Sequence, residues 1–309
     1  MTKTASATAD TSSVRGIVLM LLAVFIFASQ DGITKTLIGQ YEAPQILLVR
    51  FAAFALFVTA WVAKRGGVKK AAATKRPVLQ IVRCLLIAVE IGLFAWIVHY
   101  MPLADVHALF SSAPLMITAL SVPILGEIVG IRRWTAVGVG FVGVLIILRP
   151  GITAVQPVAM LVLLGALMFA LYVVMTRLAS RSDSSETSLF YMAWVGFAFS
   201  VTVGPFYWTW PDLEGWLMLF ALACTSITGH VLFVMALKEA PAAVLQPYQY
   251  TILVWAAIFG FVFFGDIPDV PTVIGASIIV ASGLYMLYRE QIVGRRVTVP
   301  VVPGQTVGK

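Results

Sequence analysis

The sequence predicts an all-α membrane protein in which ten transmembrane helices form two inverted five-helix repeats. Three observations lead to this fold class: an apolar composition, ten apolar runs of helical length, and basic residues that gather on one side of those runs. Of the 309 residues, 60% are hydrophobic and 11% are charged, whereas soluble domains average about 25% charged residues. This composition excludes a soluble protein.

Ten apolar runs, bounded by charged residues, Pro or Gly, match the roughly 20 residues that a helix needs to cross a bilayer. A secretory signal is the competing interpretation of the first run, because Lys3 and Arg15 precede its apolar part. That run continues past Gln30 without a small-residue cleavage site, so we interpret it as a span. The predicted spans are residues 15–38, 44–63, 78–100, 103–125, 131–149, 156–179, 188–210, 214–237, 242–264 and 270–288.

Basic residues set the expected orientation of the spans. Seventeen of the 21 Lys and Arg residues lie in the termini or in and next to alternate loops that would share one side of the membrane. Such residues concentrate on the cytoplasmic side. We therefore expect a multi-pass protein of a bacterial-type inner membrane with both termini cytoplasmic. The predicted domains are a cytoplasmic tail at 1–14, a first repeat at 15–149, a second repeat at 155–289 and a cytoplasmic tail at 290–309.

The remaining charge and cysteine pattern restricts the partners. Six basic residues between Lys64 and Arg76 act first as a topology signal, and binding of anionic lipid there is the weaker alternative. Because such loops explain the net charge of +7, no nucleic-acid partner is predicted. Cys84 and Cys224 lie in apolar runs, which argues against a disulfide framework. The three His residues have no second ligand at helical spacing, so neither a metal site nor a cofactor is predicted.

Familiar catalytic and nucleotide-binding motifs do not describe this chain. It contains no Walker, G-x-S-x-G or H-E-x-x-H sequence, which argues against an ATP-driven pump and against an enzyme. Gly138, Gly140 and Gly143 spell G-x-G-x-x-G, but they lie inside a span with no preceding strand. We interpret these glycines as positions of close helix packing and not as a dinucleotide site.

The two halves of the chain repeat each other. Pro102 and Gly126 recur as Pro241 and Gly265, both at an offset of 139 residues. Each half contains five predicted spans, and because five is odd, the second half enters the membrane the other way up. Inverted repeats are typical of secondary transporters, whose substrate site lies near the midplane between the halves.

Charged residues inside spans mark the candidate site. Glu90 lies midway along the third span, and a rise of 1.5 Å per residue places Asp31 and Arg50 at a similar depth in neighbouring spans. A charge at the centre of a span costs about 2.5 to 3.5 kcal/mol on the insertion scale. Two interpretations stay open: Arg50 and Glu90 form a structural ion pair, or Glu90 binds substrate or a proton.

Hydrogen-bonding groups next to prolines mark the fourth and ninth spans. His107 and Ser112 precede Pro114, and Gln246 precedes Pro247. Such breaks expose backbone groups that can line a cavity, and interhelical hydrogen bonding is the alternative. By depth, we expect His107 near an outer gate and Gln246 near an inner gate. The candidate cavity residues are Gln30, Asp31, Glu90, Trp96, His107, Ser111, Ser112, Phe169, Tyr172, His230, Gln246, Tyr248 and Tyr250.

The chain resembles the EamA type of the drug/metabolite transporter (DMT) superfamily over residues 15–289. The residues that carry this resemblance are Ala113-Pro114-Leu115, Leu125-Gly126-Glu127, Arg133-Trp134, the series Gly138, Gly140 and Gly143, and the echo Gly265-Asp266. The resemblance implies a ten-helix inverted-repeat fold. It also implies a central cavity lined mainly by spans 1, 3, 4, 6, 8 and 9.

Within this superfamily, the chain is most similar to the YddG-type exporters of aromatic amino acids. Glu90 resembles an acidic residue of their third span, and Phe169 and Tyr172 resemble their aromatic-rich sixth span. Ser112 and Ala113 stand where that branch has a bulky aromatic residue. This departure leaves relatives that import riboflavin or S-adenosylmethionine open.

The expected function is that of an inner-membrane secondary transporter that exports small metabolites by alternating access, with aromatic and other neutral amino acids as first choice. The alternative is an importer of another metabolite, such as riboflavin or S-adenosylmethionine. An intramembrane enzyme and a channel are the rival classes. The expected partners are a small-molecule substrate and membrane lipid, with no cofactor. Proton coupling and the choice between monomer and homodimer stay open.

Overall fold

The computed structural model describes residues 3–126, 129–149, 157–239 and 242–294. Over these ranges the regular secondary structure is helical throughout. The α-helices are α1 (Lys3–Leu37), α2 (Ala43–Ala63), α3 (Val68–Ala72), α4 (Pro77–Tyr100), α5 (Leu103–Phe110), α6 (Ala113–Leu125), α7 (Ile131–Leu148), α8 (Pro157–Ala179), α9 (Ser185–Val203), α10 (Leu213–Glu239), α11 (Ala242–Gln249), α12 (Ile252–Phe264) and α13 (Val270–Gly294).

Ten stretches within the described ranges are long and apolar enough to cross a membrane, which confirms the predicted fold class. The seventh span was predicted three residues too late along the chain, at 188–210, whereas the structure has Ser185–Tyr207. The helix starts earlier because the Ser184 hydroxyl accepts a hydrogen bond from the Thr187 N–H and caps the first turn. It ends in a 3-10 turn at Gly204–Tyr207.

Two spans are broken in the same way. The fourth span consists of α5, with eight residues, and α6, with 13. The ninth consists of α11 and α12, which have eight and 13 residues as well. Both spans end at a left-handed glycine, Gly126 with φ 72° and Gly265 with φ 70°, a conformation that residues with a Cβ rarely adopt. The repeat predicted from sequence therefore extends to backbone geometry.

Helix packing follows the symmetry of the repeats. The most extensive contacts pair α1 with α10, α4 with α8, α2 with α9, and α7 with α13. Exchange of the corresponding spans converts the α1–α10 pair into the α8–α4 pair and leaves the other two pairs unchanged. This pattern is the one expected for two halves related by a two-fold axis.

The α7–α13 pair lies to one side of the bundle and packs through glycine. A Cβ at Gly143 would lie 2.7 Å from the Gly275 carbonyl oxygen and 2.9 Å from Ile279. Only glycine permits so close a backbone approach, as at other small-residue interfaces between membrane helices. The structure thus places Gly143 in a packing interface, whereas a Cβ at Gly138 would meet nothing within 4 Å.

Candidate functional site

A group of seven polar side chains from five spans forms the midspan cluster. Its members are Gln30 and Asp31 on α1, Arg50 on α2, Glu90 on α4, His107 on α5, and Ser226 and His230 on α10. Six of the seven belong to the set predicted from sequence. The cluster lies between the two ends of the bundle, here called the Lys35 end and the Arg83 end after the partly buried and the buried cation found there.

Gln30 joins three helices of the midspan cluster. With the amide orientation assigned so that both neighbours are satisfied, its amide nitrogen lies 2.8 Å from Ser226 Oγ, and its amide oxygen accepts hydrogen bonds from both terminal nitrogens of Arg50 at 3.1 and 3.2 Å. On the same face of α10, the His230 Nδ1–H donates to the Ser226 carbonyl oxygen at 2.8 Å. Arg50 is therefore held in place by a neutral amide.

Two carboxylates act on Arg50 from a distance. Asp31 and Glu90 both interact with it electrostatically, but within the described part of the chain Arg50 forms no salt bridge. Asp31 instead pairs with His107, whose Nε2 lies 3.1 Å from the Asp31 carboxylate. Of the two interpretations that the sequence left open for Arg50 and Glu90, the direct ion pair is not formed among the described residues, and the two groups interact at longer range.

Glu90 is the unpartnered acid of the midspan cluster. Its residue is 5% exposed, and across the ranges the structure describes it forms neither a hydrogen bond nor an ion pair. It borders a narrow void that is too small to hold a water molecule and whose other walls are apolar, including Phe94, Phe110 and Val162. A buried carboxylate without a partner is costly, so this arrangement favours a proton at Glu90 in the present conformation and a cation once the void widens.

A row of aromatic rings passes this void. The Phe94 ring lies 5.6 Å from His107 and 6.0 Å from Phe110. Phe110 in turn lies 5.5 Å from Phe169, which lies 6.3 Å from Tyr172. The row therefore connects the midspan cluster with the Arg83 end and offers ring faces that bind cations and stack on planar ligands.

The Lys35 end is closed by a network of contacts around one lysine. Lys35 Nζ lies 2.6 Å from the Asp266 carboxylate and donates to the Met101 carbonyl oxygen at 3.3 Å. It also lies 4.7 Å from the centroid of the Phe264 ring. This Lys35 network ties α1 to the loops that follow α4 and α12, and so joins the two repeats.

The Arg83 end is closed by a second network. Arg83 is 1% exposed; it donates to Gln80 Oε1, to Thr176 Oγ1 at 3.2 Å and to the Ser188 carbonyl oxygen at 2.9 Å. The Gln80 side-chain amide in turn donates a hydrogen bond to the Asp183 carboxylate at 2.7 Å. This Arg83 network ties α4 of the first repeat to α8 and α9 of the second.

Asp183, in the loop between α8 and α9, is the anion of the Arg83 network. Partial burial of its carboxyl group opposes ionisation, but hydrogen bonds from the Thr74 hydroxyl, Gln80 and the Lys75 N–H outweigh this effect and lower its pKa below the usual value. The loop carboxylate therefore stays ionised and holds residues 74–80 against the second repeat.

Other predicted site residues lie away from the midspan cluster. Trp96 is 38% exposed and lies against Tyr100 at the Lys35 end. Tyr248 packs with apolar residues of α1. The buried Tyr250 hydroxyl forms no hydrogen bond to any described residue and faces Gly283 of α13. The side chain of Gln246 lies outside the described residues.

The two serines of the fourth span bond to their own helix. The Ser111 hydroxyl donates to the His107 carbonyl oxygen, and the Ser112 hydroxyl donates to that of Leu109, each at 2.7 Å. Both residues are buried. They satisfy backbone carbonyl groups at the break between α5 and α6, so in this conformation their hydroxyls neither line a cavity nor form, with the described residues, the interhelical hydrogen bonds of the alternative interpretation.

Sequence reasoning missed several members of the site. Phe94 lies four residues after Glu90, which places both on one face of a helix, so helical spacing could have found it. Arg83 is a charge inside a span, and the cost argument applied to Glu90 could have identified it as well. No local signal predicts that Lys35 meets Asp266, because these residues are 231 positions apart.

Comparisons with known proteins agree with this architecture. The profile of the EamA-like transporter family matches residues 14–149 and 156–288. One solved structure, titled "Crystal structure of protein", aligns with a TM-score of 0.61 and 17% identity, covering 92% of this chain and 99% of that chain. At that level of identity the likeness shows the fold alone.

Curated relatives carry names that concern small-molecule transport. An S-adenosylmethionine uptake transporter of Rickettsia bellii (strain RML369-C) is 28% identical over 276 residues, or 89% of this chain and 94% of that protein. A riboflavin transporter of Vibrio cholerae is 27% identical over 286 residues, covering 91% and 96%. A pseudopaline exporter of Pseudomonas aeruginosa is 24% identical over 274 residues, covering 86% and 94%. These names do not support the expected amino-acid export, and the import alternative fits them better.

Proposed function

The chain belongs to the EamA-like transporter family, and we propose that this membrane transporter imports a cationic metabolite of the S-adenosylmethionine type. The observation that carries the proposal is Glu90, a buried carboxylate without a hydrogen-bonding partner among the described residues, at a void between aromatic rings. The relative named for S-adenosylmethionine uptake, which aligns over 94% of its own length, supports the same substrate class.

The charge and the ring of the substrate match the groups that surround the void. S-adenosylmethionine carries a sulfonium and an ammonium group against one carboxylate, so its net charge is positive. Glu90 supplies the counter-charge, while Phe94 and Phe110 offer ring faces that attract a sulfonium by cation–π interaction. Further along the row, Phe169 and Tyr172 offer stacking surface for an adenine ring. Arg50, held by Gln30, is a guanidinium close enough to Glu90 to interact with it electrostatically.

The membrane potential supplies a driving force for import of a cation. A potential of 100 mV is worth about 2.3 kcal/mol per elementary charge, which corresponds to about fiftyfold accumulation inside. The chain has no Walker motif, and import driven by the potential needs none. In the proposed orientation, which the positive-inside rule supports, the Arg83 end faces the cytoplasm and the Lys35 end faces the outside.

Transport requires the bundle to open, because both ends are tied in this conformation. The void beside Glu90 does not hold even a water molecule in this conformation, whereas pockets that bind small molecules have volumes of roughly 300 to 1,000 Å³. We propose that the Lys35 network opens to admit substrate and the Arg83 network opens to release it. Rigid-body movement of one repeat against the other, as in other inverted-repeat transporters, would open them alternately.

The test is uptake by purified protein in liposomes with an inside-negative potential. Radiolabelled S-adenosylmethionine, riboflavin, tryptophan and serine are compared at one concentration. We expect S-adenosylmethionine to enter fastest and Glu90→Gln to lower its uptake about 10- to 100-fold, because a hydrogen bond to a charged group contributes about 1.5 to 3 kcal/mol.

The matched control is Glu42→Gln, which removes an exposed carboxylate before α2 that caps no helix. Glu42→Gln should transport like the wild type. The proposal is wrong if Glu90→Gln inserts normally and transports S-adenosylmethionine at the wild-type rate. Loss of Glu90→Gln protein from the membrane, with recovery in the Arg50→Gln double variant, would instead support the structural-pair interpretation.

Riboflavin is the second candidate substrate. The row of four aromatic rings from Phe94 to Tyr172 suits a flat isoalloxazine ring, and the Vibrio cholerae relative bears that name. Riboflavin is uncharged, so its uptake should depend neither on the potential nor on the charge of Glu90. The same liposomes therefore separate the two candidates.

A further inference from the structure

A groove of about 500 Å³ lies on the perimeter of the bundle, between the start of α4 and the end of α8. Its walls are apolar, with Val78 and Val82 from α4 and Met175 and Leu178 from α8, and Arg76 lies at its mouth. Val78 is 72% exposed, so the groove opens outward from the bundle. In a transporter that spans the bilayer, this surface faces lipid.

The side-chain cations of Arg76, which lines the groove, and of its neighbour Lys75 form no salt bridge within the part of the chain that the structure describes. Both side chains are exposed. The nearby guanidinium of Arg181 is already engaged, since it donates to the Leu125 carbonyl oxygen at 3.3 Å. The mouth therefore presents unpaired positive charge directly above an apolar channel.

The backbone that carries these cations is fixed. The Asp183 carboxylate accepts from the Thr74 hydroxyl and from the Lys75 N–H at 3.2 Å. Thr74 Oγ1 in turn accepts from the Arg76 N–H at 3.0 Å. Asp183 thus uses its oxygens on backbone and hydroxyl donors, and it positions Lys75 and Arg76 without neutralising their side chains.

We propose that this α4–α8 groove binds an anionic phospholipid of the cytoplasmic leaflet, with one acyl chain along the groove and the phosphate at Arg76. A guanidinium matches a phosphate by paired hydrogen bonds, and basic residues next to a transmembrane helix attract anionic lipids. The lining is cationic at the end of the span and apolar further into the membrane, which matches the anionic headgroup and the acyl chains of a phospholipid.

The site lies where it can influence transport. The groove is built by α4 and α8, the same two helices that carry Glu90 and the pair Phe169 and Tyr172. About two turns along α4 from Arg76, and next to the groove residue Val82, Arg83 links the two helices by its hydrogen bond to Thr176. A lipid in the groove would therefore contact the outer side of the α4–α8 interface, whose inner side is held by the Arg83 network.

The test is lipid retention by the purified full-length protein. The protein is equilibrated with equal amounts of phosphatidylglycerol and phosphatidylcholine in detergent, and bound lipid is counted by native mass spectrometry. We expect several-fold preferential retention of phosphatidylglycerol. Arg76→Gln should abolish the preference, and Val82→Trp, which fills the groove, should reduce retention of both lipids.

Lys70→Gln is the matched control, because it removes an exposed cation of α3 that does not line the groove. It should retain the preference for phosphatidylglycerol. Equal retention of the two lipids by the wild type, or an unchanged preference in Arg76→Gln, would overturn the proposal. A dimer whose cross-links run through Val78 would also overturn it, because the groove would then hold a second copy. If Val82→Trp does not fold, Met175→Trp replaces it as the groove-filling variant.

Discussion

Removal of the Lys35 side-chain charge should open the Lys35 end. The ammonium group contacts Asp266 at 2.6 Å, the Met101 carbonyl oxygen at 3.3 Å and the Phe264 ring at 4.7 Å. The side chains of Lys35 and Asp266 are 13% and 24% exposed. Exposed ion pairs contribute about 0 to 1 kcal/mol, and breaking a buried pair costs about 3 to 5 kcal/mol.

Because the Lys35–Asp266 pair is partly exposed, we take an intermediate value of about 2 kcal/mol for its contribution to the closed conformation. The cation–π contact adds about 0.5 kcal/mol. Lys35→Met should therefore shift the equilibrium between the closed and open Lys35 end by about 50- to 100-fold. The readout is the alkylation rate of a cysteine placed at Ser111, which is 9% exposed in the closed conformation. The protein is measured in detergent, in a background without Cys84 and Cys224.

Arg149→Met is the matched control for this experiment. Arg149 forms an ion pair with Asp269 at the same end of the bundle, but this pair links α7 to α13, which lie beside the cavity helices. Arg149→Met should leave the alkylation rate unchanged. Exchange of the charges, Lys35→Asp with Asp266→Lys, should restore slow alkylation. An unchanged rate in Lys35→Met, or an equal increase in Arg149→Met, would refute the assignment of a gate to the Lys35 network.

Three further predictions concern topology and stability. A reporter fused after Lys309 should be cytoplasmic, and an active alkaline phosphatase fusion would contradict that orientation. Asp183→Asn should lower stability by about 1 kcal/mol at pH 7. The pKa of Asp183 is lower in the folded protein than in the unfolded chain. The ionised carboxylate therefore stabilises the fold at pH values above the ordinary Asp pKa of about 4, and this stabilisation is lost as the pH falls through the lower pKa of the folded state. The melting temperatures of the wild type and Asp183→Asn should therefore converge in acid. Gly143→Ala should destabilise the α7–α13 interface by about 1 to 3 kcal/mol in thermal melts, whereas Gly138→Ala, with open space around it, should be neutral or stabilising; equal effects of the two would contradict the packing argument.

The fold could be predicted because hydropathy along a membrane chain depends on local sequence. A span must be apolar over about 20 residues wherever it lies in the bundle. The halves also repeat the residues with special backbone properties, and Gly126 and Gly265 take left-handed conformations at corresponding caps. Local sequence therefore contained both the number of spans and the internal symmetry.

The depth of the site was predictable, but the direction of each side chain was not. Asp31, Arg50 and Glu90 meet electrostatically because a fixed rise per residue sets their level. Trp96 lies six residues after Glu90, which is about 240° around the helix, so it points to the exposed surface. Tyr250 follows a helix break, and its rotation depends on a turn geometry that the sequence pattern does not determine.

Contacts between distant parts of the chain could not be predicted from the sequence pattern. The pairs Lys35–Asp266 and Gln80–Asp183 join the two repeats over 231 and 103 residues. Which loop acid meets Lys35 and which meets Gln80 depends on how the repeats pack. Charge inside a span marks Lys35 as important, and the three-dimensional arrangement assigns its partner.

The most direct test of cation import is the accumulation of S-adenosylmethionine as a function of membrane potential. Purified wild-type protein in liposomes is given potentials of about 0 and −100 mV with potassium and valinomycin, and internal and external label are measured at equilibrium. Cation import driven by the potential predicts equal concentrations without a potential and about fiftyfold accumulation at −100 mV. Uptake no faster than in protein-free vesicles, or the same accumulation at both potentials, would contradict it.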